Sequence, residues 1–277
     1  LAGPEEIVLP SVFMPPFYVY FIYFIKILIF NSTSLVGAVI FIQIILSLAS
    51  IYIFFKILRN FENLNYSLFL TSIFSIVPIF LYSSSQISSI SIQVLLLVCF
   101  FYFIIRLLQK KSYKNIFLFS FFSALLILTR GEFILFYFLT IIYFFFYFSK
   151  DIKFFFIVLM LTSIILSPYL LRNFNNFDSL ILTKSLGYNL LKGNNPESKI
   201  EGNVEFIEEN YKRKDLRIKI NKNYEIELDN LYKKEAVRFI TENPSKFVIS
   251  YFKKVLSFLF FDINSTYPNY YNILHIG

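Results

Sequence analysis

The sequence has little of several residue types that soluble proteins and metal sites depend on. Its 277 residues include one cysteine, one histidine and no tryptophan, and only 16% are charged. One cysteine cannot build a disulfide framework, and Cys99 with His275 cannot supply the ligand set of a zinc site or a Cys/His nucleophile pair. An ordinary globular chain is about 25% charged. Here 57% of the residues are hydrophobic, so the composition predicts a polytopic membrane protein.

Six stretches are apolar enough to be predicted as membrane-spanning helices, for which ~20 mainly apolar residues are typical. They are Thr33–Phe55, Tyr66–Tyr82, Ile90–Leu108, Asn115–Thr129, Phe133–Phe148 and Phe154–Leu171. Helices are expected because a lipid-exposed backbone must satisfy its own hydrogen bonds. The shorter stretch Phe17–Phe30 contains Lys26 and is predicted to be an interfacial helix.

Basic residues predict how the spans are oriented. The connections after Phe55, Leu108 and Phe148 are basic, whereas Ser83–Ser89 has no charge and the Arg130-Gly131-Glu132 break has one of each sign. The basic connections are expected in the cytoplasm. Segments 1–32 and 172–252 are then expected on the extracytoplasmic side of an inner or plasma membrane.

The charge is concentrated after Leu171. Residues 1–171 contain ten Lys/Arg and five Asp/Glu, and residues 172–277 contain sixteen and thirteen. We predict an outer segment with an interfacial helix at 1–32, a bundle of about six helices at 33–171, an extracytoplasmic loop region at 172–252 and the start of another membrane segment at 253–277. The mixed charge of the loop region indicates a solvated surface, and no nucleic-acid partner is expected.

The loop region has its own predicted organisation. Ser179–Ser198 is expected to be a tight loop, because its Gly and Asn residues accept left-handed backbone angles. Val204–Asn230 is charged and is expected to be partly helical. Leu231–Thr241 is predicted to be an amphipathic helix that ends at Asn243-Pro244, and Phe247–Phe261 is apolar again.

Three motifs on the predicted extracytoplasmic side offer chemistry. Pro15-Pro16-Phe17-Tyr18 opens a helix or forms a plain membrane-entry turn. Leu128-Thr129-Arg130-Gly131-Glu132 places a charged pair between apolar runs, which marks a functional site or a hairpin tip with a snorkelling arginine. Pro168 with Arg172-Asn173 precedes the Gly187–Pro196 segment, where arginine and lysine near amides suit a phosphate. An ordinary surface loop is the alternative there.

In this order and at these distances, the motifs resemble the GT-C-type membrane glycosyltransferases that use polyprenyl-phosphate sugars. The nearest resemblance is to family-39, protein-O-mannosyltransferase-like members related to the aminoarabinose transferases of lipid A. The resemblance implies an all-α, GT-C-like polytopic membrane helix bundle with a mixed, partly helical extracytoplasmic loop region. It also implies transfer of a sugar from a polyprenyl-phosphate donor to a lipid, glycan or protein hydroxyl at the membrane.

The resemblance implies roles for particular residues. Donor phosphate or sugar binding is expected of Arg130, Arg172, Lys192, Tyr188, Asn189, Asn194 and Asn195. Structural roles are expected of Pro15, Pro16, Tyr18, Gly187, Gly193 and Pro196. No metal and no cofactor are indicated, since the polyprenyl-phosphate sugar is a donor substrate and a carboxylate is expected to act as general base.

The sequence also departs from the family pattern. Gly131 stands where the family has proline, and the family's Asp-Glu pair is missing upstream of Pro15, where the only acids are Glu5 and Glu6. These two glutamates are the only candidates for the catalytic acid in that region, and we expect the acid and a further span to precede Leu1. A non-catalytic relative remains an alternative. A transporter or flippase for a lipid-linked sugar is another, although the charges of the spans fall near their ends.

Overall fold

A computed structural model describes residues 9–29, 34–148, 151–200, 202–211, 218 and 220–259. Within these residues the chain is all-helical, which confirms the predicted class. The helices are α1 (Pro16–Leu28), α2 (Leu35–Leu58), α3 (Leu64–Ser75), α4 (Pro78–Ser84), α5 (Ile90–Gln109), α6 (Tyr113–Thr129), α7 (Phe133–Tyr147), α8 (Ile152–Phe177), α9 (Leu186–Gly193), α10 (Val204–Asn210), α11 (Tyr224–Glu242) and α12 (Pro244–Leu259). The chain forms two compact units. We call residues 15–175 the membrane unit, and residues 1–14 with 176–277 the polar unit.

Three helices of the membrane unit are long and apolar enough to cross a bilayer. They are α2 with 24 residues, α5 with 20 and α8 with 26. Only 17% of the most apolar stretch of α2 and 22% of that of α8 are buried inside the protein. In water these surfaces would expose far more apolar area than a soluble protein tolerates, so they indicate association with a membrane.

The other predicted spans are shorter or broken. Helices α3 and α4 would pass as one span, but they are bent by 58° at a break before Pro78. Helices α6 and α7 have 17 and 15 residues and are separated at Arg130-Gly131-Glu132. Six spans therefore remain a prediction, of which length and composition support three, or four if the bent pair crosses as one.

The helix that contains the last predicted span, Phe154–Leu171, is longer than the span, because α8 continues to Phe177 with Pro168 inside it. Proline has no N–H to donate to the carbonyl four residues earlier, which here is that of Ile164. The hydroxyl of Ser167 donates to this carbonyl at 2.8 Å instead. The freed backbone group is therefore satisfied within the helix, and Arg172 and Asn173 are helical residues.

The polar unit is built around the packing of α9 on α11. Its core is formed by Leu191, Phe206, Ile207, Tyr232 and Ala236. The predicted loop Ser179–Ser198 contains α9, so the expectation of a purely irregular loop there was wrong. Among the described residues, the left-handed backbone angles occur instead at Asp178 and Gly202.

The glycine at position 187 is explained by close packing of two helices and not by a left-handed backbone angle. A Cβ atom at this position would lie 1.9 Å from the backbone oxygen of Asp229 and 2.8 Å from the backbone nitrogen of Lys233. The absence of a side chain therefore lets α9 approach the backbone of α11. In addition, the Asp229 carboxylate accepts a hydrogen bond from the Tyr188 N–H at 3.1 Å and so caps the first turn of α9 from outside the helix.

The amphipathic helix predicted at Leu231–Thr241 is confirmed within α11. The longer helix ends at Glu242, next to the predicted Asn243-Pro244 break, and Pro244 begins α12. The partly helical character expected of Val204–Asn230 is confirmed by α10 and the start of α11. The part of Phe247–Phe261 within the described residues is helical and belongs to α12, so helix continues past the predicted boundary at residue 252.

Candidate functional site

The polar unit contains a pocket of about 320 Å³, whose size lies in the range of ligand sites, ~300–1,000 Å³. Four aromatic rings, three carboxylates, one leucine and one lysine line it. They are Phe13, Tyr188, Tyr224, Tyr232, Glu208, Glu225, Asp229, Leu228 and Lys184. The pocket can therefore offer flat apolar faces together with acceptor oxygens, which is an arrangement suited to a polyhydroxylated ligand.

The three carboxylates differ in their exposure and in the hydrogen bonds that they accept from the protein itself. Glu225 Oε2 accepts hydrogen bonds from the Val12 N–H at 2.8 Å and from the Ser11 hydroxyl at 3.0 Å. Asp229 is 4% exposed and accepts from the Tyr188 N–H. Glu208 lies exposed on α10 at the edge of the pocket. Glu225 and Asp229 thus help to build the pocket walls, and Glu208 is the carboxylate most open to a ligand.

Tyr188 is the only one of the predicted binding residues that lines this pocket. Its ring packs edge-on against Phe13, with centroids 5.7 Å apart, and lies tilted against Tyr232, with centroids 6.1 Å apart. Burial, and then the nearby carboxylate of Glu208, raise the pKa of Tyr188. A tyrosine hydroxyl is protonated at neutral pH in any case, and it can both donate and accept a hydrogen bond.

The predicted asparagines hold the ends of α9. The Nδ2 group of Asn194 donates to the carbonyl of Leu190 at 2.9 Å, and that of Asn195 donates to the carbonyl of Leu191 at 2.9 Å. The Oδ1 atom of Asn195 accepts from the N–H of Glu197, and the side chain is fully buried. Asn189 is exposed and donates to the Ser185 carbonyl. Asn195 therefore serves the local fold in this conformation, while Asn189 is reachable from solvent.

The carbonyls of Lys192, Gly193 and Pro196 accept the hydrogen bonds that hold the turn after α9. The backbone oxygen of Lys192 accepts from the Asn203 N–H at 2.8 Å. Its side-chain stem packs where a Cβ on Gly202 would lie, only 2.8 Å from Cγ. The carbonyls of Gly193 and Pro196 accept from the ammonium groups of Lys254 and Lys246, each at 2.6 Å. These contacts hold α12 against the turn, and burial lowers the pKa of Lys254.

Two of the residues predicted to bind the donor phosphate, Arg130 and Arg172, belong to the membrane unit. Arg130 follows the last residue of α6 and forms an exposed ion pair with Glu132, with Nη1 and Oε1 3.2 Å apart. Arg172 is half-buried in α8 and donates to Oδ1 of the buried Asn173 at 2.7 Å. The exposed Arg130–Glu132 pair is the arrangement expected of a hairpin tip, whereas Arg172 sits in a more enclosed environment.

The Pro15-Pro16-Tyr18 motif starts α1 as predicted. Pro15 precedes the helix and Pro16 occupies its first turn. The Tyr18 hydroxyl donates at 2.7 Å to Oε1 of Gln43, a fully buried side chain in α2. Gln43 also donates from Nε2 to the carbonyl of Gln86 at 2.5 Å and accepts from the N–H of Ser88 at 3.3 Å. Tyr18 is thereby connected to the turn before α5.

The sequence interpretation missed most of the pocket. Glu225, Asp229 and Tyr232 recur at helical spacing and so lie on one face of α11, which is the signal that could have found them. Phe13 and Lys184 come from distant segments and carry no comparable signal. The candidate acids Glu5 and Glu6 lie outside the described residues. Among the described residues, no three His, Cys, Asp or Glu side chains are grouped so that they could hold a metal ion.

Comparison with known proteins adds no identity. No protein-family model matches the chain, and no curated protein or solved structure matches it either. The resemblance to the GT-C glycosyltransferases therefore depends on the sequence motifs alone.

Proposed function

We propose that this protein is a membrane glycosyltransferase that moves a sugar from a polyprenyl-phosphate donor to a lipid, glycan or protein hydroxyl. The observation that carries the proposal is the aromatic and carboxylate-lined pocket in a unit joined to apolar, membrane-associated helices. Sequence motifs resembling those of the GT-C enzymes support the same reading. The GT-C-like bundle and the extracytoplasmic position of the polar unit are parts of this proposal.

The pocket suits the carbohydrate part of a substrate better than its phosphate. Aromatic faces such as that of Tyr188 can cover the apolar C–H face of a sugar ring, and carboxylates accept hydrogen bonds from its hydroxyls. Among the described lining residues Lys184 is the one cation, and its Nζ donates to Oδ1 of Asn230 at 2.9 Å. A phosphate would meet three carboxylates there and would be repelled.

The resemblance to the GT-C enzymes, and not the pocket, is what assigns the donor phosphate to two arginines. Arg172 and Arg130 would stabilise the charge that develops on the leaving lipid phosphate as the sugar–oxygen bond breaks. The acceptor hydroxyl would lose its proton to a carboxylate as it attacks the anomeric carbon. Glu5 or Glu6 is the candidate base that the sequence resemblance implies.

Transfer can be measured directly with the full chain reconstituted in vesicles. A polyprenyl phosphate carrying a radiolabelled sugar is supplied, and the label that leaves the donor is followed. We expect Arg172→Ala to lower turnover at least tenfold, in line with the loss of a phosphate-stabilising cation. The matched control is Arg59→Ala, an exposed arginine after α2, which should leave turnover unchanged. Turnover that is equal in both variants would remove Arg172 from the site.

A second candidate function is sugar binding without catalysis. It is favoured by the use of Glu225 and Asp229 in holding the pocket walls, which leaves fewer carboxylates for chemistry. Saturation-transfer NMR with a panel of soluble sugars distinguishes the two functions. Binding that is lost in Tyr188→Ala, together with undetectable transfer by the wild-type protein, would support the binding function over the enzyme.

A further inference from the structure

A second pocket, of about 260 Å³, lies in the membrane unit where α5 ends and α6 and α8 begin. Its polar side is formed by Lys111, Tyr113, Asp151 and Lys153, and its apolar side by Ile116, Phe154 and Ile157. The lining is therefore amphipathic. If α5 and α8 cross a bilayer, as their length and composition allow, these helix ends lie near the level at which lipid headgroups meet acyl chains.

The charge around this pocket is positive. Its lining carries two ammonium groups, those of Lys111 and Lys153, and one carboxylate, that of Asp151. Asp151 is already neutralised, because its carboxylate forms an ion pair with the ammonium of Lys111 and accepts a hydrogen bond from the Phe154 N–H at 3.0 Å. Lys153 therefore leaves the lining with a net positive charge that favours an anionic group.

The apolar side is rigid and preformed. Ile116 and Phe154 are 4% and 3% exposed, so they are fixed by packing within the protein. The Lys111 ammonium lies 5.2 Å from the ring centroids of both Phe148 and Phe154, a distance at which cation–π attraction holds it in place. Lys111 is thus oriented over an apolar floor, while Lys153 is exposed at the edge.

We propose that this pocket binds an anionic phospholipid, with the phosphate of the headgroup beside Lys153 and Lys111 and the glycerol end against Ile116 and Phe154. Free phosphate offers the same charge but has nothing to place on the apolar side, so the lipid is the occupant that uses both halves of the pocket. Basic pockets between membrane helices are known to take such headgroups. The proposal is independent of the enzymatic function.

Lipid binding can be measured on the full chain in neutral detergent. Phosphatidylglycerol, phosphatidylcholine or inorganic phosphate is added, and the rise of the thermal unfolding midpoint is followed as a function of concentration. We expect phosphatidylglycerol to stabilise the protein at concentrations where the other two do not. Replacing one lysine near the surface costs about 1 kcal/mol of attraction, so Lys153→Gln should weaken the apparent affinity about fivefold.

Two further variants make the test specific. Lys56→Gln removes the same charge at another basic connection, and we expect it to stay within about twofold of wild type. Asp151→Asn keeps a side-chain acceptor for the Phe154 N–H but frees the Lys111 ammonium, so phosphatidylglycerol should bind more tightly. Equal losses in Lys56→Gln and Lys153→Gln would indicate diffuse attraction and overturn the proposal. Equal stabilisation by phosphatidylcholine, or by inorganic phosphate, would overturn it as well.

Discussion

The replacement of Gly187 by alanine tests the packing that creates the candidate sugar pocket. In most helices this change is favourable, since alanine is better than glycine by about 1 kcal/mol. Here the new Cβ would stand 1.9 Å from the backbone oxygen of Asp229, and backbone cannot swing aside as a side chain does. The expected sign is therefore reversed, and Gly187→Ala should destabilise the polar unit.

The magnitude follows from how far α9 must move. The 1.9 Å approach has to grow by about 1.5 Å before ordinary van der Waals contact is reached. A shift of that size also breaks the 3.1 Å hydrogen bond from the Tyr188 N–H to the buried Asp229. Overpacking costs about 1–3 kcal/mol, and an unsatisfied buried acceptor costs about 1–3 kcal/mol more. After the alanine gain is subtracted, we expect a net loss of about 1–5 kcal/mol.

Hydrogen–deuterium exchange on the full chain measures this loss where it occurs. The amides of α9 and α11 should exchange about fivefold to 5,000-fold faster in Gly187→Ala, because opening becomes easier by that free energy. Gly37→Ala is the matched control, since nothing lies within 4 Å of its added Cβ and α2 should be unchanged or better protected. Gly193→Ala should be intermediate, because its Cβ meets only the flexible end of Lys254 at 3.1 Å.

Two results would refute the reasoning. If α9 and α11 exchange at the wild-type rate in Gly187→Ala, the close approach of these helices is not what holds the unit together. If Gly37→Ala loosens its own helix as much as Gly187→Ala loosens α9, the effect belongs to glycine replacement in general. Either outcome would also remove the structural argument for the position of Tyr188 in the pocket.

Three other perturbations have expected outcomes. Gln43→Leu leaves buried partners unsatisfied and should lower the stability of the membrane unit by about 1–3 kcal/mol, seen as a lower thermal midpoint in detergent. An unchanged midpoint would contradict the role of Gln43 in holding Tyr18 and the turn before α5. Asp229→Ala should weaken sugar binding and loosen α9, whereas Asp229→Asn, which keeps the acceptor for the Tyr188 N–H, should retain α9; equal loosening in both would contradict the capping role. The hydrogen bond with Lys111 lowers the pKa of Asp151 below its usual 3.8. The ionised Asp151 therefore stabilises the folded protein above about pH 4, and this stabilisation is lost as the pH falls through the lowered pKa. Asp151→Asn should flatten that part of a curve of stability against pH.

The sequence predicted best those features that depend on local pattern. Apolar stretches of about twenty residues became α2, α5 and α8, and the spacing of apolar residues in Leu231–Thr241 identified the C-terminal part of α11. The prolines at 15 and 16 marked the start of α1 because proline fits the first turn of a helix. Each of these signals is carried by neighbouring residues, and no information from elsewhere in the chain was needed.

Features that depend on distant partners were missed. In the sequence alone, Gly187 suggests a flexible backbone, and only its contact with α11 shows that it is needed for packing. The asparagines of the same segment suggest a loop, although Asn195 in fact donates a hydrogen bond to a carbonyl of α9. In the sequence alone, Pro168 suggests the end of a helix, because the hydrogen bond from Ser167 to the carbonyl of Ile164 cannot be foreseen. The pocket joins Phe13 to Tyr188, residues 175 positions apart, and such a pairing has no local signature.

The two backbone hydrogen bonds of Val12 have a consequence for the topology of the chain. Val12 precedes the first membrane helix, yet its N–H donates to Glu225 at 2.8 Å and its carbonyl accepts from the Lys184 N–H at 2.9 Å, and both partners follow the last. Segments that precede and follow the membrane unit in the sequence therefore fold together within the polar unit. If α2, α5 and α8 each cross a bilayer and the polar unit lies on one face of it, the number of crossings must be even, and three crossings do not suffice. The bent pair of α3 and α4, which passes as one span, is the candidate for a fourth.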